Sequence, residues 1–343
     1  MKLAKNTGEE NKSVKISTKR RIALFLGVAI YYFLFCILIL WAAGALYYDV
    51  NWNSKMQALP AILWILFAIA ATVLTRPHRL GIFTVLSFVT LIMIWHISIL
   101  PQQYRDWQEV HLKTPHAEIS GNIVTVHDIR DFQFRGPSDF TPAYETHSYN
   151  LNNLRDVDLF LNFWGSDKMA HPIVSFDFGQ DGHLCFSIET RREKNEGFSA
   201  VGGLFKMFEI IYIACTERDC VMLRAVSPGE DVYLYKTKIG KEDTKMIFLQ
   251  YIKRIDELCK KPEFYNAITA NCTTSIRRQN SPERRRPWDW RMLINGEFDR
   301  MLYDNDMLDT SIPFEELKKR SHINRKALDA GYSSDFSERI RED

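Results

Sequence analysis

Residues 169–193 read MAHPIVSFDFGQDGHLCFSIETRRE. Apolar, β-branched and aromatic residues dominate 173–178 and 184–190, and Gly179-Gln180-Asp181-Gly182 stands between them. Glycine supplies the positive φ that tight hairpin turns require, so the stretch predicts two antiparallel strands and a turn. A turn centred near Asp181 makes facing residue numbers sum to about 362, which sets His171 beside Arg191 with Glu189 about two residues off.

The same composition recurs outward from this hairpin. Residues 118–126, 157–164 (VDLFLNFW), 208–214, 220–226 and 232–238 predict further strands, with Glu217-Arg218-Asp219 as the turn between 208–214 and 220–226. Residues 242–258 differ, because Ile247, Tyr251, Ile255 and Leu258 fall on one face of a helix that Pro262 ends. A shorter helix begins near Asn271. Strands followed by helices predict an α+β domain, an antiparallel sheet with helices packed on one side. Residues 101–343 show no repeat and no dividing linker, so they form one domain, and the polar tail after about His322 is expected to be loosely held.

The first hundred residues follow a different rule. Residues 22–48, 56–75 and 80–100 contain no charge over 27, 20 and 21 positions. A bilayer core about 30 Å thick needs roughly 20 apolar residues in a helix, so three transmembrane helices are expected. Seven Lys/Arg stand in residues 1–21 against Glu9 and Glu10, and the second loop carries Arg76 and Arg79. Basic flanks stay cytoplasmic, which places the N-terminus inside and, after three crossings, the domain 101–343 outside: in a bacterium, on the periplasmic face of the inner membrane. His96 lies in the third span, near its end, where a histidine reaches toward the headgroups. A domain so placed is a poor candidate for binding nucleic acid, despite Arg284-Arg285-Arg286 beside Trp288 and Trp290.

Five cysteines lie in the outer domain: Cys185, Cys215, Cys220, Cys259 and Cys272. Their spacing matches no zinc site, Cys215 and Cys220 can pair across a turn, and an odd number leaves a thiol over. Cys272 follows Asn271, a good helix N-cap, so it stands in a first turn whose dipole favours the thiolate; Arg277 and Arg278 add positive potential. A small residue tucked beneath a helix start fits the same pattern. A nucleophilic thiol needs a base, and His171 at the head of a strand is the candidate, with Glu189 either orienting the imidazole or joining Arg191, Arg192 and Glu193 in a surface ion cluster.

Ala170-His171-Pro172-Ile173-Val174-Ser175-Phe176 and Ser187-Ile188-Glu189-Thr190-Arg191-Arg192-Glu193 resemble a bacterial envelope family. Gly203-Leu204-Phe205, Glu209-Ile210-Ile211-Tyr212, Glu217-Arg218-Asp219, Val232-Tyr233-Leu234-Tyr235, Pro262-Glu263-Phe264-Tyr265-Asn266 and Asn271-Cys272-Thr273-Thr274 continue the likeness over about residues 120–320. The family is that of the Lnb N-terminal periplasmic domain. The order of His171 before Cys272 also resembles permuted papain-like (NlpC-type) folds, such as lecithin:retinol acyltransferase. These resemblances imply a thiol-dependent acyltransferase that needs no cofactor or metal. Cys272 would take an acyl chain from a membrane phospholipid as a thioester and pass it to an amine, such as a lipoprotein N-terminus. His171 would serve as base and Glu189 would orient it. Asn271 would cap the helix or assist the oxyanion, and Arg191, Arg192 and Thr273 would contact substrate or hold structure. The same Cys–His pair would equally suit a hydrolase of cell-wall amides or lipids, and a membrane-tethered binding module is the non-enzymatic alternative.

Overall fold

The computed structural model describes residues 18–50, 56–269, 272–279, 289–292 and 295–342. Contacts divide the chain into two units, Met1–Ser98 and Ile99–Asp343.

The first unit holds α1 (Thr18–Tyr48), α2 (Leu59–Leu74) and α3 (His78–Ser98). Two helical segments, Arg21–Tyr48 and His78–Ser98, are long and apolar enough to cross a membrane. The middle segment is shorter than expected: α2 has 16 residues, or about 24 Å at 1.5 Å per residue. Pro60 opens it, and Pro77 follows where it stops. Three expected spans thus become two of spanning length and one short apolar helix. Small residues let these helices approach closely: a Cβ on Gly81 would meet the Ala71 carbonyl oxygen at 2.0 Å. Near the end of α3, His96 meets Asp49 just past the end of α1, its Nδ1 2.6 Å from Asp49 Oδ2.

The second unit is built on an eight-stranded sheet. Its strands are β1 (His116–Ser120), β2 (Ile123–Arg130), β5 (Tyr144–Asn150), β6 (Asp156–Trp164), β7 (Ser166–Asp177), β8 (His183–Arg191), β9 (Glu209–Cys215) and β10 (Glu230–Lys236). The order is β1-β2-β9-β8-β7-β6-β10, with β5 also on β2. All pairings are antiparallel except β2 with β9. A separate hairpin joins β3 (Gln133–Gly136) to β4 (Asp139–Thr141). The single strand expected over 118–126 is instead the β1–β2 hairpin, turned at Gly121 with φ +60°.

Alternation along the strands sends side chains to two buried faces. Leu159, Val174, Phe176, Phe186 and Tyr212 point to α5 (Lys241–Lys260) and α7 (Phe298–Asp304), where Phe248 meets Phe176 at 5.2 Å between ring centres. Ile173, Cys185, Ile211 and Ile213 point the other way, to α4 (Glu217–Ala225), α9 (Asn324–Ala330) and α10 (Phe336–Arg339). Helices therefore cover both sides of the sheet rather than one. A sheet buried on both faces has near-continuous apolar strands, the pattern of VDLFLNFW in β6.

The segment read as a strand at 220–226 belongs to α4. Thr216 caps it, accepting from the Asp219 N–H at 3.2 Å, and Glu217 and Asp219 sit in its first turn. The tail expected to be loose is packed. Ile323, Ala327, Ala330, Phe336 and Ile340 are buried against α4 and the sheet, and Arg341 bonds Asp158 Oδ2 at 2.9 Å and Glu217 Oε1 at 2.6 Å. Polar residues on its outer side masked a core-facing stripe.

Candidate active site

The β7–β8 ladder runs from Asp177↔His183 to Ile173↔Ser187 and stops there, one residue short of Pro172, which has no N–H to donate. Beyond that point β7 follows β6 as far as Ala170↔Phe163, and β8 follows β9 to Arg191↔Glu209. A cleft of about 420 Å³ opens at the parting, with His171, Glu189, Arg192 and Arg224 in its walls beside Met169 and Phe198.

Paired numbers sum to 360 rather than 362, because the turn is centred on Gln180 within Gly179–Asp181. Continued two residues, this register sets Glu189, not Arg191, across from His171. Ser187 completes the group. His171 Nε2 lies 2.8 Å from Ser187 Oγ, and Ser187 Oγ donates to Glu189 Oε1 at 2.8 Å. His171 Nε2 is also 3.5 Å from Glu189 Oε1. The Ser187 proton is committed to the carboxylate, so Ser187 Oγ can only accept from His171. That fixes the Nε2–H tautomer and leaves Nδ1 as the basic nitrogen.

Charges tune the group. Burial lowers the His171 pKa to about 4 despite the Glu189 charge, so the ring is neutral at physiological pH. Burial alone would raise the Glu189 pKa, but His171, Arg224, His111 and Arg130 outweigh it and hold the carboxyl well below its ordinary range. Arg224 Nη2 stands 3.2 Å from Glu189 Oε1 and Nη1 stands 3.7 Å from Glu230 Oε2, which accepts from Asn162 Nδ2 at 2.7 Å. Glu189 is thus no member of a surface ion cluster. Ser187, Arg224, His111 and Glu230 were absent from the sequence-derived site. Ser187 and Glu189 alternate on one strand face, a signal the sequence carries; Arg224 was hidden by reading α4 as a strand.

Arg191 serves structure. Its guanidinium stacks 4.4 Å from the Trp107 ring and donates to the carbonyls of His111 at 3.0 Å and Leu112 at 2.9 Å. Arg192 lines the cleft, and its Nε has no hydrogen-bond partner among the described residues. Cys272 opens α6 (Cys272–Arg278), which packs against β7 and β8. Its side chain, that of Arg278, and Asn271 lie outside the described residues, as do Arg284, Arg285, Arg286 and Trp288. α6 has seven residues. Thr273 lies next along the chain and is buried. Its Oγ1 donates to Met292 O at 2.5 Å and lies 2.9 Å from the amide oxygen of Asn295, a cleft residue. Thr273 thereby ties the start of α6 to the cleft wall. Cys185, Cys215 and Cys220 are free and buried: Cys215 faces Cys185 across β8–β9, and Cys220 stands on α4 rather than on a neighbouring strand.

Comparison with curated proteins yields no match, and neither does comparison with solved structures. The family model described as the Lnb N-terminal periplasmic domain matches residues 140–296, a little under half of the chain and a narrower span than the likeness first suggested. The stretch includes β6 to β10, the His171–Ser187–Glu189 group and Cys272. Residues 140–296 are thus similar to the Lnb N-terminal periplasmic domain, and they stand in a chain with apolar helices of membrane-spanning length near its N-terminus.

Proposed function

We propose that this domain is a thiol-dependent acyltransferase working on membrane lipid at the periplasmic face of a bacterial inner membrane. Cys272 loses its proton to His171 Nδ1 and attacks the ester carbonyl carbon of a phospholipid. The tetrahedral intermediate collapses, the ester C–O bond breaks, and His171 returns the proton to the departing lysolipid oxygen. An amine then attacks the thioester, gives a proton to His171, and the thiol leaves reprotonated, so atoms and charge balance without a cofactor. Glu189, through Ser187, holds the imidazole in the tautomer this demands. Arg192 and Lys168 in the cleft suit a phosphate headgroup.

The observation that carries the proposal is the Glu189–Ser187–His171 chain in the cleft wall, with the helix that Cys272 opens packed on the same two strands. A basic N-terminus on the cytoplasmic side and a periplasmic domain together require an odd number of crossings. Therefore α2 also crosses, with the bilayer thinned around it.

Incubating the full chain with phospholipid and measuring intact mass tests the chemistry. The expected result is an acyl adduct that hydroxylamine removes and that Cys272→Ser and His171→Ala abolish. Full activity in either variant overturns the proposal. Release of free fatty acid in place of an acylated amine would identify a hydrolase using the same pair.

A further inference from the structure

A second cavity of about 280 Å³ lies on the α5 side of the sheet, between β6, β7, α5, α6 and α7. Leu159, Val174, Ile247, Ile276, Met301 and Met307 supply much of its wall. Protein interiors are packed to a density of about 0.75, with few voids larger than one water. Apolar side chains make up most of the wall, with Thr273, Arg277, Asp289 and Asn305 also reaching it, and spaces of mainly apolar lining take apolar ligands. Met292 joins Met301 and Met307 in the wall, and unbranched thioethers adapt to a guest whose shape varies.

Position gives the cavity its meaning. Thr273, the residue after Cys272, is part of its wall, and Thr273 is bonded to Asn295 in the wall of the cleft. The start of α6 thus stands between the two spaces. The cleft presents Glu189, Arg192, Arg224 and Glu230, groups that suit a headgroup or an amine, among apolar residues such as Trp164, Met169 and Phe198, whereas the second cavity brings aliphatic side chains and three methionines together.

We propose that the 280 Å³ cavity is an acyl-chain pocket, receiving the linear hydrocarbon tail while its carbonyl is bonded to Cys272. The assignment rests on the thioester chemistry above, yet the pocket can be tested without it. Full-chain Cys272→Ala protein in detergent is irradiated with a diazirine-bearing fatty acid, and the labelled peptides are mapped by mass. Adducts are expected on the α5 and α7 segments around Ile247 and Met301, and long-chain fatty acid should compete them away. Labelling confined to other surfaces overturns the pocket.

A second arm reads chain length in the Cys272-containing protein. Ile276→Phe fills the cavity and should shift thioester formation toward shorter donors, by roughly fourfold for each methylene left uncovered. Met301→Ala enlarges it and should shift the preference toward longer ones. Unchanged chain-length profiles in both variants, with melting temperatures near the parent's, overturn the pocket while leaving the acyltransferase standing. Labelling of the cavity with no thioester in the parent protein would do the reverse.

Discussion

Glu189 sets what His171 can do by way of Ser187. Its negative charge keeps the Ser187 proton pointed away from the imidazole, and the imidazole answers by donating from Nε2. Glu189→Gln removes that asymmetry, because an amide can donate as well as accept. It should lower kcat on the order of 10²-fold with little change in KM, a split that steady-state assay of the acyl transfer resolves. His171 and His111 also make the fold acid-sensitive. Burial lowers them from 6.5 to about 4 and about 3 respectively, against a partial upward pull from Glu189. The unfolded chain binds these protons near pH 6.5 while the native one refuses them, so stability is complete above that pH and is lost as pH falls towards 4 and then 3. Urea midpoints measured between pH 7 and pH 4 should fall steadily, and less so for His171→Gln. Both partners of this contact were legible in the sequence; their register was not. A turn centre displaced from Asp181 to Gln180 moves the facing residue from Arg191 to Glu189, a precision that a Gly-Gln-Asp-Gly string does not encode.

At the scale of elements, the hairpin, β6, α5 and the start of α6 follow from periodicity and turn residues. What eluded pattern reading was α4. Val221-Met222-Leu223 looks strand-like, but Thr216 followed by Asp219 is a helix N-terminal signature, and the capping bond to Asp219 confirms which local preference won. Thr216→Ala should cost about 1 kcal/mol, visible as a lower urea midpoint with an unchanged slope. Gly296 shows a constraint no local pattern reveals. It lies in the 3-10 turn Asn295–Glu297, and a Cβ there would meet the Asp167 carbonyl oxygen at 2.1 Å and Lys168 Cα at 2.5 Å. Those are backbone atoms that cannot rotate aside. Gly296→Ala should destabilise the domain by about 1–3 kcal/mol and displace Asn295 from the cleft wall. Thermal melting reports the first effect; weakened adduct formation at Cys272 reports the second.

For the molecule as a whole, composition was a poor guide to the last residues. A segment rich in Ser, Arg and Asp closes one face of the sheet, because five apolar side chains face inward and Arg341 joins Asp158 to Glu217. Arg341→Met removes the cation and leaves both carboxylates uncompensated in a buried setting. The loss should be about 3–5 kcal/mol, read by denaturant unfolding. Topology belongs to this scale too. If α2 crosses the bilayer, a cysteine introduced at Ser54 is labelled by membrane-impermeant reagent from outside the cell and one at Arg76 is not; labelling of both or of neither removes the third crossing.

The Arg341 clamp also has a consequence in time. Asp158, on β6, meets its counter-ion only after another 183 residues have been made. An exported chain passes through its channel roughly in order, so the sheet's α4 face stays open until the segment around 323–341 has crossed. Until then the Glu189–His171 relay lies on a half-covered sheet. Enclosure of the His171–Glu189 pair on that face therefore waits on the segment around 323–341, and a chain halted before it carries both residues without the burial that sets their protonation.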